Sequence, residues 1–175
     1  MVDEAYVAVV RKICARLDGS NVNWALTGSL SFALQGVPVE PHDIDIQTDA
    51  SGAYEIERRF SEFVTRKVAF SASERIRSHF GTLLMDGITV EIMGDIEKLL
   101  EDGTWEKPPD LAVHRRIIEV RGIQVPVLSL EYECQAYAKL GRVSMARMLQ
   151  DALSQRMVPP EPHTIRSAER CTLDG

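Results

Sequence analysis

Apolar and polar residues follow two different periods along this chain, and the periods predict helices and strands. Residues 3–18 have apolar positions every three or four residues, which is typical of an amphipathic helix. Gly36 follows a short apolar stretch and predicts the end of a helix there. The elements predicted before residue 64 are helices at 3–18, 30–35 and 51–63, and strands at 22–27 and around Ile44 and Ile46.

The second half of the chain predicts hairpins and then helices. Asp86-Gly87 and Arg121-Gly122 each separate two strand-like runs, a pattern that favours tight turns. Residues 103–110 are predicted to form a loop. The strands are expected at 78–85, 88–93, 114–120 and 123–127, and the last helices at 129–141 and 143–155. This order predicts an α+β fold, a mixed β-sheet flanked by helices with C-terminal helices.

Composition narrows the class of protein. The 175 residues fit one domain, expected at 1–156, followed by a proline-containing tail at 157–175 that is expected to be extended or mobile. The net charge of −6 disfavours an extended DNA-binding surface. The three cysteines lack a CxxC spacing, and the N-terminal region has no signal-peptide pattern or apolar span. We therefore expect a cytoplasmic protein without a membrane segment.

Two aspartates in the second predicted strand suggest a metal site. Because strand side chains alternate between faces, Asp43 and Asp45 share one face, and Ile44 and Ile46 share the other. The strand rise places the two aspartate Cα atoms roughly 6.6 Å apart. Carboxylates that close repel each other, and a hard divalent cation such as Mg²⁺ offsets the repulsion. Two such ions can hold the attacking and leaving oxygens of a phosphoryl-type transfer.

A Gly-Ser step precedes these aspartates by the thirteen residues 30–42. It joins the first predicted strand to a helix, and the free amides at a helix N-terminus favour phosphate. Gly28 leaves room for a phosphate to approach, and the Ser29 hydroxyl can donate to a phosphate oxygen or cap the helix.

Glu91 is a third acid within an apolar run, Thr89-Val90-Glu91-Ile92-Met93. If its strand lies beside the strand of Asp43 and Asp45, Glu91 joins their face. It would then be able to bind a metal and accept a proton from an attacking hydroxyl. Each of these features is common alone, and their order and spacing give them weight.

Together the residues resemble the nucleotidyltransferase superfamily of the DNA polymerase beta type, especially its small antibiotic-modifying and toxin-like bacterial members. The resemblance rests on Leu26-Thr27-Gly28-Ser29, Asp43-Ile44-Asp45-Ile46 and the later Glu91. It implies a nucleotidyltransferase-like sheet in which Asp43, Asp45 and Glu91 hold two Mg²⁺ ions. It also implies that Gly28 and Ser29 bind the triphosphate and that Lys139, on a closing helix, reaches the phosphates. Thr27 departs from the large apolar residue that the family has before its glycine.

The resemblance implies an enzyme that moves a nucleoside monophosphate from an NTP to a hydroxyl or phosphate acceptor and releases pyrophosphate. The acceptor stays open among a small molecule, a protein and an RNA end. An alternative is a non-catalytic nucleotide- or partner-binding module of the antitoxin or regulatory type on the same fold. Retention of three clustered acids disfavours this alternative.

Overall fold

A computed structural model describes residues 1–156, so the predicted tail 157–175 lies outside the described residues. The predicted α+β fold is confirmed: a mixed sheet of eight strands is flanked by helices. Its strands run in the order β3-β4-β5-β2-β1-β8-β7, with β6 paired to β5. The strands are β1 (Trp24–Thr27), β2 (Ile44–Thr48), β3 (Val64–Ala72), β4 (Ile76–Met85), β5 (Ile88–Leu99), β6 (Trp105–Glu106), β7 (Arg115–Val120) and β8 (Ile123–Leu128).

The described helices cover both faces of this sheet. They are α1 (Glu4–Leu17), α2 (Gly28–Leu34), α3 (Ala50–Arg59), α4 (Leu111–His114), α5 (Leu130–Lys139) and α6 (Val143–Arg156), with a 3₁₀ turn at Ser61–Phe63. Among them, none combines the length and the apolar character that a membrane crossing requires.

The main core lies between one face of the sheet and helices α1 and α3. Asp3 caps the N-terminus of α1, and its carboxylate accepts a hydrogen bond from the Ala5 amide at 2.9 Å. The apolar stripe of α1 belongs to one buried cluster with Ile44 and Ile46 of β2 and with Val90 and Ile92 of β5. Burial of the two isoleucines turns Asp45, the residue between them, to the opposite face.

A smaller core covers part of that opposite face. Phe32 of α2, Leu130 of α5 and Leu149 of α6 are buried together. Ser129 caps the N-terminus of α5, and its hydroxyl accepts a hydrogen bond from the Tyr132 amide at 3.2 Å; α6 follows after the turn at Gly141. The C-terminal helices therefore lie over the face to which β2 directs its acidic residues.

Several predicted boundaries were wrong, chiefly around the hairpins. Strand β3 lies at 64–72, where the sequence pattern predicts no strand, because this edge strand is mostly exposed and buries only Val68. Strand β5 continues to Leu99, six residues beyond its predicted end, and β6 lies within the predicted loop 103–110. Predicted helix 51–63 ends as a helix at Arg59. The central order of helix and strand agrees with the prediction.

Candidate active site

Neighbouring strands bring the predicted acids together. Strand β2 runs parallel to β5, and Asp45 lies directly opposite Glu91 in the register. Asp43 stands immediately before β2 and shares the face of Asp45. One carboxylate oxygen from each of the three residues lies within 4.8 Å of the others. The condition that the sequence left open, a shared face for Glu91 and the two aspartates, is met.

Crowding and burial change the acidity of this group. Burial raises the pKa of Asp45 to about 8, with further contributions from the negative charges of Asp43, Glu91 and Glu133. The pKa of Glu91 is also raised, first by burial and then by Asp43. The carboxylates therefore pay an electrostatic cost when all are ionised without a cation between them. Oxygen donors that are all carboxylates suit a hard divalent ion such as Mg²⁺.

Gly28 lies against the acids because β1 pairs with β2 and places Thr27 opposite Asp45. Its φ of +70° belongs to the left-handed region that favours glycine. A Cβ atom at this position would stand 2.0 Å from Asp45 Oδ2. The Asp45 carboxylate therefore occupies the space that a side chain at position 28 would need.

The helix after this glycine begins earlier than predicted. Helix α2 starts at Gly28, and Thr27 occupies the N-cap position without a side-chain capping bond. The predicted capping role of Ser29 is therefore wrong, because Ser29 is already in the first turn, where it is half-buried. The first amides of a helix have no acceptor within the helix, so those of α2 remain available beside Asp45.

A fourth acid, Glu133 of α5, faces the same site. It is 1% exposed and accepts a hydrogen bond from the Thr27 hydroxyl. Burial raises the pKa of Glu133 to about 7, while the Thr27 hydrogen bond and Lys98 lower it. Sequence analysis missed Glu133, although a signal existed: Glu133 lies at the three-residue spacing of the buried Leu130 and Ala136. Thr27, the residue that departs from the family pattern, is the partner of this buried acid.

A cavity of about 280 Å³ joins these groups. Its lining includes Asp43, Asp45, Glu91 and Glu133, together with two cations, Lys98 and Arg142. It also includes Gly28, while apolar contacts come from Ile76, Ile96 and Leu140. A mixed lining of acids, cations and apolar walls is suited to a metal-bound anionic ligand.

Lys139 and Ser29 do not line this cavity. Lys139 is the last residue of α5 and forms an ion pair with Glu106 of β6. The predicted contact of Lys139 with phosphate stays a prediction. Lys98 and Arg142, which sequence analysis did not select, are the cations that the fold places at the cavity.

Comparison with known proteins identifies the class. The structure matches a candidate nucleotidyltransferase from Thermotoga maritima, known from a crystal structure, with 64% sequence identity and a TM-score of 0.78. The match covers 89% of this chain and 97% of that chain. The chain is a nucleotidyltransferase.

Within that class, the chain belongs to the aminoglycoside-2''-adenylyltransferase family, whose sequence model matches residues 9–152. A comparison with curated protein sequences finds no match.

Two antibiotic-modifying enzymes share the fold at low sequence identity. The lincosamide antibiotic adenylyltransferase LnuA, solved with lincomycin, is 13% identical, with a TM-score of 0.55 over 87% of this chain and 97% of that chain. ANT(2'')-Ia, solved with adenylyl-2''-tobramycin, is 13% identical, with a TM-score of 0.53 over 87% of this chain and 91% of that chain. At this identity the likeness concerns the fold.

Proposed function

We propose that this chain is a metal-dependent nucleotidyltransferase of the cytoplasm that transfers a nucleoside monophosphate from an NTP to an acceptor and releases pyrophosphate. The observation that supports it most is the convergence of Asp43, Asp45 and Glu91, whose carboxylate oxygens lie within 4.8 Å of one another. Their joint charge, beside a glycine turn and a polar cavity, suits metal-bound phosphate.

The roles of the residues follow from their positions. Asp43, Asp45 and Glu91 would hold two Mg²⁺ ions, which when bound neutralise phosphate charge and activate the attacking oxygen. Gly28 keeps Asp45 in place and leaves the α2 amides open to the phosphates, with Ser29 as a further donor. Glu91 would also accept the proton of the acceptor hydroxyl, if that hydroxyl binds beside it.

The family and the fold neighbours guide the choice of substrates. The family is named for adenylyl transfer, and the neighbours were solved with lincomycin or an adenylylated tobramycin. ATP is therefore the first nucleotide to test, and an antibiotic hydroxyl is the first acceptor. A phosphate, a protein or an RNA end completes the acceptor panel.

The test is Mg²⁺-dependent pyrophosphate release from ATP with these acceptors, in the wild type and in Asp43→Asn, Asp45→Asn and Glu91→Gln. Each change keeps the side-chain shape and removes one charge, so turnover should fall at least about 100-fold. Asp151→Asn, in the exposed part of α6, is the matched control and should keep full turnover.

Thermal unfolding separates loss of chemistry from loss of fold. Because the charge at Asp45 is unfavourable in the metal-free protein, Asp45→Asn should melt no lower than the wild type. Unchanged turnover in the three variants would refute the proposal. Binding of ATP without pyrophosphate release from any acceptor would favour the non-catalytic module.

A further inference from the structure

A buried lysine of β5, Lys98, stands apart from the other basic residues within 1–156, none of which is buried. It is 5% exposed and lines the cavity that contains Asp45, Glu91 and Gly28. Its ammonium group donates one hydrogen bond, to the Tyr132 hydroxyl at 3.2 Å. Within residues 1–156 it takes part in no ion pair, whereas Lys139 pairs with Glu106.

A β-bulge directs Lys98 to the cavity. His79 of β4 pairs with Gly94 of β5, and Arg77 pairs with Glu97. One residue of β4 lies between these pairs but two residues of β5 do, so β5 carries one extra residue. Asp95, one of these two residues of β5, has a φ of +49°. A bulge reverses which face the later residues use. Ile96 and Lys98 therefore line the cavity together with Glu91 and Met93, although simple alternation from Glu91 would point them away.

A buried ammonium with a single neutral partner is costly, because an ammonium can donate three hydrogen bonds. Burial lowers the pKa of Lys98, and the negative charges of Glu106 and Glu133 oppose that effect without forming a close pair. The amino group of Lys98 therefore stands at the cavity wall with donors that no residue of the described range uses. An anionic ligand group would complete its coordination.

Gln47 gives a second, independent sign that the cavity accepts a polar ligand. It lies two residues beyond Asp45 on the same strand face and is 5% exposed. Its Oε1 atom has no hydrogen-bond partner in the described part of the chain. Buried amide oxygens without a partner are uncommon in folded proteins, so a bound ligand or its water is the expected partner.

We propose that Lys98 contacts a phosphate of the bound triphosphate from the cavity wall, with Tyr132 holding the ammonium in place. The proposal rests on the proposed function, since it concerns the same nucleotide. The family resemblance implies that Lys139 on α5 contacts the phosphates. The proposal assigns this contact to Lys98 on the bulged strand β5 instead. Lys98 and Glu91 of β5 would then act on the metal-bound phosphates beside Asp43 and Asp45, which belong to the neighbouring strand β2 and the residue before it.

The test is titration of a non-hydrolysable ATP analogue and of AMP, both with Mg²⁺, into the wild type, Lys98→Met and Lys12→Met. Lys12 is an exposed lysine of α1, on the other face of the sheet, and controls for loss of one positive charge. Lys98→Met should weaken analogue binding by about 10- to 100-fold, the worth of a charged hydrogen bond. AMP binding should change by less than about three-fold, and Lys12→Met should match the wild type.

Further variants keep the result decisive. If Lys98→Met does not fold, Tyr132→Phe provides the test instead. This variant leaves Lys98 intact but removes its hydrogen bond, and it should weaken analogue binding by about two- to ten-fold. Equal binding of the analogue by wild type, Lys98→Met and Tyr132→Phe would overturn the proposal. So would a loss confined to Lys139→Met. Failure of the wild type to bind the analogue at all would instead refute the proposed function, and this inference with it.

Discussion

Replacement of Gly28 by alanine tests how closely the turn and the acid group depend on each other. The φ of +70° at Gly28 costs an L-residue about 1–2 kcal/mol. In addition, the new Cβ would stand 2.0 Å from Asp45 Oδ2 and 3.0 Å from its Cγ, well inside contact distance. The Asp45 carboxylate must move, and a displacement of about 1 Å at a catalytic group costs about 100-fold in rate.

Gly36→Ala is the matched control. Gly36 closes the same helix with a φ of +86°, and a Cβ there would meet no atom within 4 Å. It therefore carries the backbone strain without the contact. Each variant should lower the melting temperature by about 2–8 °C in a domain of this size. Turnover, measured as pyrophosphate release, should fall about 100-fold in Gly28→Ala and stay within about two-fold in Gly36→Ala.

Equal turnover in the two alanine variants would refute this reasoning, because it would mean that Asp45 can give way without loss of function. A larger loss of stability in Gly36→Ala than in Gly28→Ala would contradict the steric argument as well. Melting is measured without Mg²⁺, so that metal binding does not hide a difference in the folded protein.

The other predictions concern charge and burial. Because the folded protein raises the pKa of Asp45 from 3.8 to about 8, it binds that proton more tightly than the unfolded chain. The free energy of unfolding in EDTA should therefore fall as the pH rises from about 4 to 8 and then level off. Urea titrations across this range should show the slope, and a flat profile would contradict it. Thr27→Val removes the hydroxyl that donates to buried Glu133 and should destabilise the fold by about 1–3 kcal/mol in urea, whereas Thr27→Ser should keep most of that stability.

Local sequence patterns were sufficient to predict the centre of this fold. Strand alternation predicts one face for Asp43 and Asp45 because Ile44 and Ile46 need burial, and the structure buries both isoleucines fully. The turn at Gly28 is also predictable from the local pattern, because an apolar strand ends there and a helix begins. The pairing of Asp45 with Glu91 is different, since it joins residues far apart in sequence and depends on strand order. Only the family resemblance pointed to it.

The missed cavity residues have physical explanations. Lys98 reaches the cavity through a bulge at Asp95, and alternation along a regular strand assigns it to the wrong face. Glu133 is a charged residue within the buried stripe of α5, where charges are rare unless paired. Its partner Thr27 is distant in sequence. Both residues depend on tertiary contacts that local periodicity does not encode.

The most direct measurement of the central claim is a crystal structure with Mn²⁺ in place of Mg²⁺ and a non-hydrolysable ATP analogue, with anomalous scattering to locate the metal. We predict anomalous peaks between the carboxylates of Asp43, Asp45 and Glu91, with the triphosphate against Gly28. A bound analogue with its metal away from these three acids would contradict the account.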